Sequence, residues 1–215
     1  MALIVIDGIS VVCDYAIISH YYILYYKVIV YIIFDKKILN KFKREIMKHF
    51  KRMTLILYNS YDKNRWHEAH KRAIARAAPI CYAFDCNLAI MDFPCNKDDI
   101  LSIETTIGNS GKYLRELINN NRFIITDKYQ AQFGTPIIAT SNPDNDKLIT
   151  PREVANHLLK KSCGVFVGLG RHGLPKNIVK LGEYHLDITE KKVSLETCTA
   201  IATIPSAIAT YLKLL

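Results

Sequence analysis

No two of the six cysteines (Cys13, Cys81, Cys86, Cys95, Cys163, Cys198) form a CxxC pair or stand at the spacing of metal ligands. That absence excludes a metal framework of the kind such pairs build, and no metal site is expected. Four of the six sit inside apolar or helical runs, the pattern of reduced, mostly buried thiols in a reducing compartment. His67-Glu68-Ala69-His70 sets its histidines three apart, so the H-E-x-x-H zinc signature is missing too. Residues 1–52 lack proline and hold one glycine, Gly8, which marks them as different in kind from the remainder. Acidic residues are in deficit, 20 Asp/Glu against 29 Lys/Arg, for a net charge of +9. Nine of those basic residues and four of the acidic ones fall in residues 1–52, which leaves a surplus of only four for residues 53–215. A local patch could bind phosphates, but the total charge does not establish a nucleic-acid partner.

What is present suits one medium domain with an appendage: 215 residues, half of them apolar. Six of the thirteen tyrosines lie in residues 1–52, in runs such as His20-Tyr21-Tyr22-Ile23-Leu24-Tyr25-Tyr26. Residues 16–34 are nearly apolar, interrupted by His20 and Lys27, and a basic stretch runs from Lys36 to Arg52. One reading is a membrane anchor with its basic side in the cytoplasm. A secretory signal is disfavoured, because no basic segment precedes the apolar run and no small-residue cleavage site follows it. The other reading, which we prefer, is that residues 1–52 are no part of the functional protein. Met53 opens a clean first strand, Thr54-Leu55-Ile56-Leu57-Tyr58, and Ile/Tyr/Lys-heavy text is what translated AT-rich DNA gives. The expected division is therefore an extension, 1–52, and an α/β domain, 53–215, in the cytoplasm. Peptides from residues 1–52 in a mass spectrum of the native protein would overturn it.

After the first strand come a polar loop, Asn59 to Arg65, and a helix from Trp66 to Phe84. Ala73, Ala77 and Ile80 form its buried stripe, while Lys71, Arg72 and Arg76 project elsewhere. Strands are expected at 88–91, 123–126, 136–140, 164–167 and 184–188, with helices at 98–104 and another opened by the stretch 105–113 and running to about Asn120. Thr150-Pro151-Arg152-Glu153 reads as a capping box opening a helix that runs to Lys161. Strands alternating with helices in this way mean a mostly parallel sheet with helices on both faces. Ser194 is expected to open the last helix, which is rich in Ala, Thr and Ser. Small residues let another backbone approach closely, which points to a second copy of the chain.

Two glycine-bearing stretches invite nucleotide readings. Gly111-Lys112 does not make a phosphate loop, because Thr106 stands where the first glycine belongs and Tyr113 replaces the Ser/Thr that would touch magnesium. A helix N-terminus with Lys112 beside it could instead hold an RNA phosphate. Gly168-Leu169-Gly170-Arg171-His172-Gly173 has G-x-G-x-x-G spacing after a strand. Pro175 follows at once, however, and too little chain remains for the rest of a dinucleotide fold.

The order of these segments resembles a known class. Ala73-Ile74-Ala75-Arg76-Ala77-Ala78 before the strand Leu88-Ala89-Ile90-Met91 is similar to the first motif of SPOUT-class RNA methyltransferases. Gly168 to Leu174, a short strand, and Ser194-Leu195-Glu196 resemble the second and third motifs, and the whole of residues 53–215 resembles an uncharacterised archaeal family of that class. The resemblance implies a C-terminal trefoil knot, S-adenosylmethionine as cofactor, RNA (tRNA or rRNA) as substrate and a homodimer. It places the cofactor among Thr140, Ser141, Gly168, Leu169, Gly170, Gly173, Leu174, Leu186, Ile188, Ser194, Leu195 and Thr197. Arg76 stands where the ribose-methylating branch has an arginine set against the target hydroxyl. His70 and Arg72 replace an Asn and a Gly of that branch, Gly170 replaces a glutamate, and Glu196 replaces an asparagine, so the acceptor atom stays open. Glu196 could pair with the sulfonium or act as a base, or it could be a first-turn glutamate favoured by the helix dipole. Arg72, Lys112, Arg171 and His172 are the expected RNA contacts. The rival reading is a SPOUT-shaped binding module without catalysis.

Overall fold

Residues 2–6, 9–13, 51–106, 108–170 and 173–215 are described by the computed structural model. The chain divides into two compact units, Met1–His49 and Phe50–Leu215. In the first, β1 (Ala2–Ile6) pairs antiparallel with β2 (Ile9–Cys13), Ala2 opposite Cys13. The apolar run at 16–34, read above as a possible anchor, lies outside the described residues. Among the described residues, no helix is long and apolar enough to cross a membrane.

The second unit is built on six parallel strands: β3 (Met53–Tyr58), β4 (Asn87–Met91), β5 (Phe123–Thr126), β6 (Thr135–Ala139), β7 (Cys163–Gly168) and β8 (Tyr184–Leu186). Their order across the sheet is β5-β4-β3-β7-β6-β8. β3 runs through the middle with all six residues buried, which is why Met-Thr-Leu-Ile-Leu-Tyr reads as a continuous apolar run rather than an alternating one. The chain lays β4 and β5 outward from β3 and crosses back to place β6. It then inserts β7 between β3 and β6, pairing Ile56 with Phe166 and Ile138 with the same Phe166.

Helices α1 (Glu68–Ala83), α2 (Lys97–Thr106), α3 (Gly111–Asn119), α4 (Pro151–Leu158), α5 (Lys176–Val179) and α6 (Thr197–Leu214) complete the unit. Their distribution is lopsided. Buried residues of α1, α2, α3, α4 and α6, among them Ile74, Ile103, Leu114, Val154 and Ile204, share one core with Leu55, Leu57, Val165 and Val167. On the other face Ile56, Phe166 and Ile138 meet one short helix through Ile178, plus Phe133, Tyr129 and Leu174 from turns and loops. Both faces are covered, but on the second the Tyr129 ring stacks on Phe166 of the sheet at 5.4 Å, beside Phe133 and the short α5.

Local signals account for several boundaries. At α4 the Thr150 hydroxyl oxygen accepts the Glu153 N–H at 3.3 Å, and a Glu153 carboxylate oxygen accepts the Thr150 N–H at 2.8 Å. The capping box is thus closed in both directions, with Pro151 at the first helical position, where it needs no partner. The last helix differs from expectation. Its N-cap is Glu196, and Ser194 is exposed two residues before it. The cause lies upstream: Asp187 accepts the backbone N–H groups of Thr189 and Lys192, and Glu190 and Lys192 adopt positive φ. Those bonds hold residues 187–192 in turns and postpone the helix.

Candidate functional site

Three neighbouring strands deliver the residues expected to hold a cofactor to one edge. β6 ends at Ala139, β7 at Gly168 and β8 at Leu186, and the parallel register ranks Ala139 with Leu186. The chain leaves β7 toward α5 on the thin face, whereas it leaves β6 toward α4, and β8 toward α6, on the helix-rich face. Adjacent strands whose connections depart to opposite faces leave a crevice beyond their carboxyl ends, and open α/β sheets bind ligands there.

Long-range bonds draw that edge together. The Thr140 N–H donates to the Leu186 carbonyl at 3.0 Å. From the start of α6, the Thr197 hydroxyl donates to the Gly168 carbonyl at 3.0 Å, tying helix and strand end across 29 residues. Leu169, Ile188 and Leu195 are half-buried against the main core. Gly173 is exposed at φ +66, a backbone position that glycine favours. Leu174 packs on the thin-face core, and Ser141 and Thr140 are half-buried. The edge therefore gathers Thr140, Ser141, Gly168, Leu169, Gly170, Leu186, Ile188, Leu195 and Thr197, with Ser194 exposed at its margin. Arg171 and His172, expected to contact RNA, lie outside the described residues.

Glu196 caps α6, exposed, with a carboxylate oxygen accepting from the Cys198 thiol at 3.0 Å. That is where the helix dipole favours an anion. Arg72 and Arg76 lie one turn apart on the exposed face of α1. Arg76 has no hydrogen bond or ion pair among the described residues. Lys112 is on α3, which packs on α1 and α2, and its ammonium lies 4.8 Å from the Tyr113 ring centre.

A polar cluster that sequence reasoning missed lies beside the glycine loop. Asn59, which follows β3, is fully buried. Its amide donates to the carbonyls of Asp62 and Asp92 at 2.6 and 2.9 Å, and its oxygen accepts the N–H groups of Tyr61 and Asp62. That same oxygen stands 3.0 Å from His70 Nε2, while His70 Nδ1 accepts the His67 N–H, so the His70 proton sits on Nε2. Trp66 stacks on the His70 ring, 5.4 Å between centres and 4° from parallel. The available signal was a histidine in register with the buried stripe of Ala73 and Ala77. Ser60 joins this cluster to the glycine loop: its hydroxyl accepts the Gly170 N–H at 2.8 Å, and the Leu169 N–H donates to the Tyr58 carbonyl.

Titration in the cluster follows its burial. Desolvation, and next the neighbouring His67, lower the His70 pKa below its ordinary 6.5. Asp62 is held down to about 2, first by its hydrogen bond with His67 and then by the Asn64 N–H. Unfolded chain takes up a proton at His70 near pH 6.5 that the folded chain refuses. Stability that is complete above this pH is therefore lost as the pH falls toward the lowered folded value. Thermal melts from pH 8 to pH 5 are expected to show a downward slope beginning near pH 6.5. The slope should be reduced in His70→Gln; equal slopes would remove His70 from the pH response.

The thiols Cys81, Cys86 and Cys163 are buried and free, with Cys95 and Cys198 half-buried. Burial pushes Cys86 up to about 12 and Cys95 up to about 11, which suits inert packing groups. No group of three or more His, Cys, Asp or Glu suited to a metal occurs among the described residues.

The architecture is shared with several solved structures. A probable methylase family protein from Haemophilus influenzae Rd KW20 aligns over 76% of this chain and 67% of its own, with TM-score 0.54 and 16% identity. A probable methyltransferase from Bordetella pertussis Tohama I aligns over 77% of this chain and 98% of its own, at TM-score 0.52 and 15% identity. TrmJ from Z. mobilis ZM4 aligns over 74% and 69%, at TM-score 0.51 and 16% identity. At such identities the likeness is one of fold. The sequence itself belongs to the family described as protein of unknown function DUF531, whose model matches residues 53–209. It is 70% identical over 167 residues to the uncharacterized protein MJ0224 of Methanocaldococcus jannaschii, covering 78% of this chain and 99% of that one.

Proposed function

We propose that this chain is an S-adenosylmethionine-dependent RNA methyltransferase working as a homodimer. The observation that carries the reading is the meeting of three loops at the carboxyl edge of β6, β7 and β8, drawn in by the Thr197–Gly168 and Thr140–Leu186 bonds. The matching folds of the probable methylase from H. influenzae and the probable methyltransferase from B. pertussis support it, as does the order of motif-like segments.

The residues suit the cofactor. A nucleoside held by backbone groups needs glycines, hydroxyls and a few apolar walls, and this edge offers Gly168, Gly170, Thr140, Leu169, Ile188 and Leu195. S-adenosylmethionine, when bound, supplies a methyl group already activated on a sulfonium. The chain's own tasks are to align the acceptor with it and to see a proton removed. Leu169 and Leu195, half-buried at the rim, would exclude water, and Thr197 would fix the loop through Gly168. Arg76 is the group we place at the RNA acceptor, with Arg72 binding phosphate one turn away. The trefoil knot belongs to the same proposal, since the chain passes from the outermost strand β8 back onto α1 and α4 through α6.

Titration calorimetry with S-adenosylmethionine tests the reading most directly. Heat of binding together with methyl incorporation into archaeal total RNA is the expected result. No binding at millimolar ligand would refute it, and binding without incorporation would favour a non-catalytic module.

A further inference from the structure

The loop between β3 and α1 presents a feature that the cofactor edge does not use. Tyr61 is 58% exposed, yet it is not a loose side chain on a loose loop. Its N–H donates to the buried Asn59 oxygen at 3.1 Å. Its ring stands nearly perpendicular to two imidazoles, 5.5 Å from His67 at 79° and 5.9 Å from His70 at 73°. Those imidazoles are fixed in turn, His67 by Asp62 at 2.7 Å and His70 by Asn59 and the Trp66 stack. The result is an aromatic ring held in place and left open to solvent. Single exposed aromatics are common and by themselves mean little. This one is rigid, and its neighbour Ser60 holds Gly170 of the candidate cofactor loop.

Charge around it has one sign to spare. Lys63 is occupied, its ammonium 2.8 Å from Asp92 and 3.0 Å from the Tyr58 hydroxyl. Arg65, Arg72 and Arg76 are exposed, and their guanidinium groups make no hydrogen bond or ion pair among the described residues. Arg65 shares the loop with Tyr61; Arg72 and Arg76 lie further along α1, off the face that carries His70. An aromatic ring fixed on a loop that also carries an exposed guanidinium, Arg65, is the kind of arrangement that binds an unpaired base and a neighbouring phosphate. With an exposed guanidinium on the same loop that makes no ion pair among the described residues, the charge favours nucleic acid.

We propose that Tyr61 is the stacking platform for an unpaired RNA base at or next to the modified nucleotide, with Arg65 on a neighbouring phosphate. The proposal rests on the methyltransferase reading for the identity of the RNA, and specifies how the acceptor strand is held. Tyr61 is a substrate-binding residue in this account and takes no part in the proton or methyl steps.

The test uses the full chain and a mixed-sequence single-stranded RNA oligonucleotide carrying 2-aminopurine, whose emission is quenched on stacking. Tyr61→Ala is expected to weaken binding roughly 5- to 150-fold, the range of one base–aromatic stack, and to abolish the quenching. Tyr61→Phe should bind and quench as the parent does, because the face and not the hydroxyl is used. Binding of S-adenosylmethionine by calorimetry should be unchanged in both, which also verifies folding. Full quenching in Tyr61→Ala would overturn the proposal. So would a parent protein indifferent to the oligonucleotide, which would assign the ring to a protein partner. A parent that stacks RNA but ignores S-adenosylmethionine would leave Tyr61 in its role and refute the methyltransferase reading alone.

Discussion

Arg76→Ala is expected to lower methyl transfer to RNA by a factor on the order of 10² to 10⁴, the span of a positioned proton-transfer group, with S-adenosylmethionine affinity unaltered. Arg76 is exposed on α1 with its guanidinium unengaged among the described residues, so the fold itself does not need it. The buried stripe of that helix is Ala73, Ile74, Ala77, Ala78 and Cys81, and the arginine lies off it. Arg76→Lys separates charge from shape: a lysine keeps the positive charge but loses the planar fork of donors. Transfer that is equally depressed in both variants would mean that fork geometry is required. Recovery in the lysine variant would mean that charge suffices. The measurement is tritium incorporation from labelled S-adenosylmethionine beside calorimetry of each protein. Transfer unchanged in Arg76→Ala removes the residue from the mechanism.

Gly170→Ala is the second large effect. A Cβ built there would lie 2.5 Å from the Ser60 carbonyl oxygen and 2.9 Å from its carbon, closer than real Cβ contacts come. The obstacle is backbone, so no rotamer change relieves it, and the β7 loop must move away from Ser60. That movement would break the 2.8 Å bond from the Gly170 N–H to the Ser60 hydroxyl. Since the loop supplies the centre of the proposed crevice, the dissociation constant for S-adenosylmethionine is expected to rise by at least about tenfold, the equivalent of about 1.4 kcal/mol. The melting temperature should also fall. An alanine variant that binds the cofactor as the parent does would show that Gly170 lies outside the site.

How much of this could be read from the sequence depended on the range of the signal. Period and punctuation are local, and they placed β3, β5 and the α4 capping box within a residue or so. They also separated the strand before Gly168 from the turn after it. The thin cover over Phe166 left no such trace, because Tyr129 and Phe133 sit in irregular chain with no period to detect. The start of α6 was misread at Ser194 because serine is a good cap by type. The bonds to Asp187 that delay the helix depend on backbone geometry at Glu190 and Lys192. The closures that make the site join residues far apart, Ser60 to Gly170 and Thr197 to Gly168, and no spacing rule reports them. A resemblance of motif order could suggest that those turns converge; composition and periodicity alone could not. His70 was noted for failing a zinc pattern, while its actual role, a buried donor to Asn59, was foreshadowed by its register with Ala73 and Ala77.

The placement of β7 has a consequence for how the molecule is made. β3 and β6 have no bond to each other and face the two sides of a strand synthesised after both. On the ribosome, β3 to β5 can assemble as one half-sheet, but β6 cannot join them until residues 163–168 have emerged to bridge the gap. The interior therefore closes late, by contacts distant in sequence, and such closure is slow. Until then Leu55, Ile56 and Leu57 have one open edge, so a nascent chain stalled before Cys163 is the form of this protein most exposed to aggregation.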